Sequence, residues 1–346
     1  ASMKKTTLIK SGIAALAIAA RGLFTTNPAF AQEAVAVVTE TVVVETAEAA
    51  PAEPTVEQRI ADLEAYVNNG ARTPDVASKI AGPGPGHNAW QMTSTVLVLF
   101  MTLPGLALFY GGLVRSKNVL SILAMTMGIA GLVTILWFLC GYSLTFSGGN
   151  AFLGDLAQAC FNGMKPGNVG AGYYWISDYI WAMFQLTFAI ITPALITVAF
   201  AERVRFSSYM LFVCLFSVFI YCPLAHWTWH PEGFLRQWGV LDFAGGTVVH
   251  MAGGLAALTG ALFLGQRTAH KQNAPQVPAH IPYVLLGTGM LWFGWFGFNA
   301  GSALAANGLA AKAFLTTNTA SAAAMLAWIF FDCSKGRKPS ALGACI

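Results

Sequence analysis

VLSILAMTMGIAGLVTILWFLCGYSLTF, the sequence of residues 119–146, decides the fold class of this chain. These 28 consecutive residues contain no charged side chain, although Arg115 and Lys117 lie just before them. About 20 apolar residues in a helix span the hydrocarbon core of a bilayer, because each residue adds about 1.5 Å. The stretch therefore predicts a helix that crosses a membrane.

Six other blocks of the chain have the same apolar character. The seven predicted spans are approximately residues 92–113, 119–146, 178–200, 207–225, 244–264, 282–304 and 313–331. Only 10% of the 346 residues are charged and 56% are hydrophobic, whereas a soluble domain has about 25% charged residues. The sequence predicts an all-α polytopic membrane protein. An eighth block begins near Ser340 and is still apolar at Ile346, so we expect a membrane domain, residues 89–346, that is incomplete at its C-terminus.

The N-terminus has the pattern of a cleaved secretory signal. Lys4, Lys5 and Lys10 precede an apolar stretch, and Ala29-Phe30-Ala31 supplies an A-x-A cleavage site. We predict a signal peptide over residues 1–31.

Residues 32–88 are polar and rich in Ala, Glu, Val and Pro, which is typical of a largely disordered extension. One short helix is predicted inside it. Thr55-x-x-Gln58 resembles a capping box, and apolar side chains follow at helical spacing. These are Val56, Ile60, Leu63 and Val67. The Gly-Pro run at residues 82–86 is predicted to end any helix before the membrane domain.

Basic residues in the loops predict the orientation. The loops after spans 1, 3, 5 and 7 hold nine Lys and Arg residues, and those after spans 2, 4 and 6 hold three. Because positive loops stay in the cytoplasm, the odd-numbered loops are predicted to be cytoplasmic. The extension is then periplasmic, in agreement with a signal peptide, and the protein is a multi-pass protein of the inner membrane.

Several other classes find no support in the sequence. The six cysteines form no CxxC or Cys/His metal spacing, so we predict neither a metal nor a cofactor. The net charge of +4 is spread over short loops, so no nucleic-acid partner is predicted.

Two ionisable residues in the fifth block are candidates for chemistry, because charges inside a membrane are costly. Asp242 precedes the block's glycines and has two readings: a helix cap that accepts backbone N–H bonds, or a charge that concentrates cations near an entrance. His250 lies deeper, with Gly246 and Gly254 one turn to either side of it. It is either a packed core residue or a proton relay beside a narrow path.

Aromatic residues form a third group of candidates. Phe184 and Phe188 share one face of the third span, and Phe298 and Ser302 share one face of the sixth. Trp229 ends the fourth span near the outer surface. Each aromatic residue alone suggests packing or an interfacial anchor. Together they offer aromatic faces and a hydroxyl at the outer mouth, and such faces attract a desolvated cation by about 2 kcal/mol.

Four longer motifs resemble the ammonium transporter (Amt/Mep/Rh) family. They are GLALFYGGL at 105–113, FQLTFA at 184–189, DFAGGTVVH at 242–250 and GWFGFNAGS at 294–302. The resemblance implies an inverted-repeat bundle of eleven spans, of which seven and the start of an eighth fall in this chain. It also implies a homotrimer with one pore in each subunit.

The resemblance also implies roles for single residues. Phe184, Phe188, Trp229 and Ser302 would form an external ammonium site, and Asp242 would hold the vestibule in shape. Phe188 and Phe298 would stack as a gate, and His250 would be the first of two pore histidines.

The chain departs from the family pattern in three places. The span that carries the second histidine and the tail that contacts PII regulatory proteins are not in the sequence. Trp229-His230-Pro231-Glu232 replaces a loop that is richer in glycine.

The predicted function is ammonium transport: capture of NH4+ outside, loss of a proton, and passage of NH3, with methylammonium as an analogue. An ammonium sensor and a non-functional truncated fragment are the alternatives. An enzyme is not predicted, because Asp242 and His250 lie about 12 Å apart along a helix, too far for direct proton transfer.

Overall fold

A computed structural model describes residues 55–67, 84–169 and 175–346. The predicted signal peptide lies outside the described residues, as does most of the extension. The short helix predicted within the extension is confirmed as α1 (Val56–Val67). The side chain of Gln58 is not described, so its reciprocal capping bond stays a prediction.

Seven helices in the described part of the chain are long and apolar enough to cross a membrane, as predicted. They are α2 (Pro85–Leu113), α3 (Ser116–Phe146), α4 (Asp178–Phe200), α5 (Phe206–Gln237, interrupted at 230–233), α6 (Gly246–Leu264), α7 (Ile281–Gly301) and α8 (Gly308–Ser334). No β-strand occurs among the described residues, where pairing is limited to two isolated bridges in the loop between α3 and α4. The chain is therefore an all-α, multi-pass membrane protein.

The start of α2 corrects one prediction. We expected the first span to begin near residue 92, after the Gly-Pro run. Instead Gly84 is extended, and α2 begins at Pro85. Proline is tolerated at the first helical position because its missing N–H would have no intrahelical partner there. A last helix, α9 (Ala341–Cys345), begins where the eighth block was predicted, and the Ser340 hydroxyl accepts a bond from the Gly343 amide at 2.9 Å.

Four of the spans contain a π-helical turn, in which the backbone bonds reach five residues back. These turns are Met101–Leu106 in α2, Trp137–Gly141 in α3, Ser217–Tyr221 in α5 and Gly246–Met251 in α6. In α2 the turn contains Pro104, which cannot donate a backbone bond. In α6 the turn contains His250, whose amide donates to the Gly245 carbonyl at 3.0 Å.

The helix α4 lies at the centre of the bundle. In the most apolar 18-residue stretch of α4, 78% of the residues are buried inside the protein. In the corresponding stretch of α8 the share is 6%. Helix α7 packs along α2, and glycines of α7 allow a very close approach. A Cβ atom built at Gly294 would lie 2.2 Å from the Met101 Cβ, and one at Gly287 would lie 2.3 Å from the Phe109 amide nitrogen. These contacts hold α7 against α2. At the C-terminal end of α7, the Phe298 ring stacks on the Phe188 ring of α4.

Candidate functional site

A cavity of about 490 Å³ lies where the N-terminal end of α4 and the C-terminal ends of α5 and α7 meet the loop before α6, on the side predicted to be periplasmic. It contains all five residues that the sequence predicted for the outer mouth. Its lining is Trp181, Phe184, Gln185, Phe188, Thr228, Trp229, Arg236, Val240, Leu241, Asp242, Phe243, Ser302 and Leu304. We call it the outer cavity.

Three aromatic rings form one wall of the outer cavity. The Phe184 and Phe188 rings, four residues apart on α4, have centroids 5.0 Å apart. The Trp229 ring meets Phe188 edge to face, with centroids 5.8 Å apart and an angle of 87° between the planes. Aromatic faces carry partial negative charge, so this wall favours a cation that has lost part of its hydration shell.

Backbone contacts hold Trp229 in place at the end of the helical segment Cys222–Trp229. Its indole Nε1 donates to the Asp242 carbonyl at 3.0 Å. Its own carbonyl accepts from the Arg236 guanidinium at 2.7 Å. The indole plane is thereby tied to the loop before α6.

The Asp242 carboxylate caps α6, as one of the two sequence readings proposed. One oxygen accepts from the amides of Gly245 at 2.6 Å and Gly246 at 2.7 Å. The other accepts from Thr247 at 2.8 Å and Val248 at 3.0 Å. Four N–H bonds engage both oxygens, so the carboxylate is committed to the helix start rather than free to act as a base.

Ser302 lies just past the end of α7, and its hydroxyl donates to the Phe298 carbonyl at 2.7 Å. With its proton used in this way, the oxygen presents lone pairs to the outer cavity. A hydroxyl oxygen in that state accepts N–H bonds, which is the contact that an ammonium ion offers and that a sodium or potassium ion does not.

Phe188 and Phe298 stack between the outer cavity and a second cavity. Their ring centroids are 4.4 Å apart with 38° between the planes, and each side chain is 1% exposed. Phe188 lines the outer cavity, whereas Phe298 lines the second cavity, of about 500 Å³. The two stacked rings therefore lie between the two cavities.

His250 lies in this second cavity, with its ring centroid 6.0 Å from that of Phe298. Within the described part of the chain its ring makes no hydrogen bond, and the residue is exposed. The other lining groups are mostly apolar or aromatic, such as Trp295 and Tyr110. The space beside Gly254 is open. The closest contact of α6 with α4 instead runs through Gly260, where a Cβ atom would meet the Phe200 ring at 1.9 Å.

Sequence reasoning missed several groups at the outer end. Gln185 lines the outer cavity, is 6% exposed, and has a carbonyl oxygen without a hydrogen bond. Its position next to Phe184 in the sequence could have indicated that it lies near the same cavity.

His226, also missed, is fully buried, and both its ring nitrogens face backbone carbonyls, Thr145 at 2.9 Å and Asn150 at 2.7 Å. The His230 ring stacks on it, with centroids 4.5 Å apart. His226 thus ties α5, just before Trp229, to the end of α3 and the loop that follows it.

The fold and the site together define a class: a polytopic α-helical membrane protein with two cavities and an aromatic constriction between them. The chain belongs to the Ammonium Transporter Family, whose family model matches residues 89–346.

Relatives of known sequence agree with this assignment. The chain is 47% identical to the putative ammonium transporter of Methanothermobacter thermautotrophicus over 75% of its own length and 62% of the relative's. It is also 47% identical to the ammonium transporter of Aquifex aeolicus, covering 75% of this chain and 60% of that one. The chain thus spans about 60% of the length of these relatives.

Solved structures share the fold. Mep2 of Saccharomyces cerevisiae is 35% identical with a TM-score of 0.70, covering 79% of this chain and 63% of its own. A structure described as a sensor Amt protein is 28% identical with a TM-score of 0.67, covering 75% of this chain and 65% of its own.

Proposed function

We propose that the protein carries ammonium across a membrane through the path that joins the outer cavity to His250. The observation that supports this most is the succession of neighbouring groups from one cavity to the other. An aromatic wall with a hydroxyl comes first, then the stacked pair of Phe188 and Phe298, then an imidazole within 6.0 Å of that pair.

In this proposal Phe184, Phe188, Trp229 and Ser302 bind NH4+ in the outer cavity. The rings offset part of the lost hydration, and the Ser302 oxygen accepts one N–H bond. Asp242 fixes the shape of this vestibule by capping α6. Sodium and potassium are rejected below it, because neither can shed a proton to become neutral, and an ion in an apolar path is very costly.

Ammonium then gives up its proton and passes Phe188 and Phe298 as NH3. The four amide bonds of Asp242 argue against this carboxylate as the acceptor. His250, whose ring is free of hydrogen bonds within the described residues, is the proposed proton relay. Asp242 and His250 are not proposed as an enzymatic acid–base pair, and the relatives from Methanothermobacter thermautotrophicus and Aquifex aeolicus are called ammonium transporters.

The proposal also covers the other segments of the chain, its localisation, its assembly and its regulatory partner. Residues 1–31 are a signal peptide, residues 32–88 a periplasmic extension, and residues 89–346 belong to the membrane domain. The protein lies in the inner membrane with its odd-numbered loops in the cytoplasm, and it assembles as a homotrimer. A PII protein is the regulatory partner that family resemblance suggests for a chain carrying the corresponding tail.

A sensor is the second candidate function, because one structural relative is described as a sensor Amt protein. A sensor would bind ammonium without sustaining net uptake. Growth separates the two functions in cells that lack their own ammonium transporters. The chain, extended to the length of its relatives, is expressed on limiting ammonium at low pH, where little free NH3 diffuses. We expect growth; binding of methylammonium without growth would favour the sensor.

A further inference from the structure

The helix α1, before the membrane domain, has an exposed apolar stripe that transport does not use. Val56 is 63% exposed, Ile60 50% and Leu63 55%. The same spacing continues in the sequence at Val67. A 12-residue helix is marginal in water unless its apolar face packs against something. The stripe therefore has the character of a contact surface.

The spacing of the stripe is that of a coiled coil. Its members follow one another at intervals of four, three and four residues, which places them at alternating d and a positions of a heptad repeat. In that register Arg59 occupies a g position and Glu64 occupies the following e position. In a parallel pair of helices the g residue of one chain lies beside the e residue of the next heptad in the other. Arg59 and Glu64, both exposed, are thus complementary between copies.

A membrane surface fits α1 less well than another copy of it does. Helices that lie on bilayers are rich in Lys and Arg and contain Trp, Phe or Leu. Here Arg59 is the one basic residue of α1, against the three carboxylates of Glu57, Asp62 and Glu64. Anionic lipids would repel this helix.

The geometry of the chain allows copies of α1 to meet. Every copy inserts into a membrane in one orientation, so all copies of α1 lie on the same side and are tethered at the same end, which permits a parallel pair. Sixteen residues separate Val67 from Gly84, which reach at most about 55 Å when extended. Tethering of this kind raises the local concentration of α1 to roughly the millimolar range, provided that the copies share one assembly.

We propose that the stripe of Val56, Ile60 and Leu63 is a self-association surface: α1 of one copy packs in parallel against α1 of another, in a register set by Arg59 and Glu64. The partner is a second copy of this chain, and the proposal does not depend on what passes through the membrane domain.

Disulfide cross-linking of the full chain in liposomes tests the proposal. The two exposed cysteines, Cys160 and Cys333, are first replaced by serine to lower the background. Leu63→Cys then places a thiol in the stripe, and Ala61→Cys places one on the opposite face as the matched control. Under mild oxidation we expect cross-linked dimer to form about tenfold faster with Leu63→Cys than with Ala61→Cys.

The predicted ion pair between Arg59 of one copy and Glu64 of another gives a second test of the proposal. Arg59→Glu, added to Leu63→Cys, should slow cross-linking about threefold, and adding Glu64→Arg as well should restore the rate. Equal rates at positions 61 and 63 would overturn the proposal. A rate at position 63 that Arg59→Glu leaves unchanged would also overturn it, because random collision of tethered helices does not depend on that pair.

Discussion

Residues that line the outer cavity are proposed either to bind ammonium or to hold the shape of the cavity. Trp229 is proposed to bind ammonium. Its ring forms part of the aromatic wall, and its indole N–H is fixed on the Asp242 carbonyl. We expect Trp229→Leu, in a chain extended to the length of its relatives, to raise the KM for methylammonium roughly tenfold, since a cation–π contact contributes about 1–2 kcal/mol. Uptake of labelled methylammonium at low concentration measures this.

Trp238→Leu is the matched control for that experiment, because Trp238 is 74% exposed and does not line the outer cavity. An unchanged KM in Trp229→Leu would remove this residue from the binding site.

Asp242 is proposed to hold the shape of the outer cavity by capping α6. Replacement by Asn keeps one oxygen acceptor but turns an NH2 group towards two backbone N–H groups. We expect Asp242→Asn to lower the free energy of unfolding by about 1–3 kcal/mol, because the backbone N–H groups at the start of α6 lose a charged hydrogen-bond acceptor. Thermal unfolding in detergent gives the size of the effect. Glu232→Gln, at a nearby exposed position, is the control and should leave the melting temperature unchanged. A melting temperature for Asp242→Asn equal to that of the unchanged protein would show that the cap contributes little.

The sequence allowed the individual site residues to be predicted because they lie in local patterns. Phe184 with Phe188, and Phe298 with Ser302, share faces at a spacing of four, and Asp242 stands directly before glycines that need a cap. His226 could not be found in this way. Its two carbonyl partners lie 81 and 76 residues away in the chain, and nothing local indicates that contact.

At the scale of helices, the packing of α7 on α2 depends on glycines that face a backbone. A methyl group at Gly294 would overlap the Met101 side chain, so we expect Gly294→Ala to destabilise the protein by about 1–3 kcal/mol. Gly289, on the same helix, has open space around it. Gly289→Ala should therefore be neutral or slightly stabilising, because alanine favours a helix over glycine by roughly 1 kcal/mol.

Thermal unfolding of the two α7 variants, measured side by side, decides the matter. Equal melting temperatures would mean that α7 can move away from α2 without cost, and that the position of Phe298 does not depend on this contact.

Hydropathy predicted the number and order of the spans, but not their internal shape. Apolar blocks report which residues avoid water, and that is enough to count helices. The π turns leave no comparable pattern. In α6 the turn follows the Asp242 cap and Gly245, which has a φ of +91°, and together they set where His250 points. A regular helix would place Gly246 and Gly254 one turn to either side of His250, whereas the structure widens the first of those turns.

For the molecule as a whole, the second cavity has one uncovered group. Helices α2, α4, α7, α8 and α9 all contribute to its lining, yet His250 within it is exposed. We therefore expect residues 1–346 alone to give no growth on limiting ammonium at low pH, because an NH3 path needs an apolar wall around that imidazole. Growth equal to that of the extended chain would show that the described helices suffice.

The central claim is that ammonium moves charge past His250, and one measurement tests it most directly. Transient current is recorded from proteoliposomes of the extended chain after a jump in ammonium concentration, for the unchanged protein, His250→Ala and the loop variant His270→Ala. The account predicts a current for the unchanged protein and for His270→Ala, and none for His250→Ala, because the proton then has no imidazole beside Phe298 to carry it. An undiminished current in His250→Ala would contradict it.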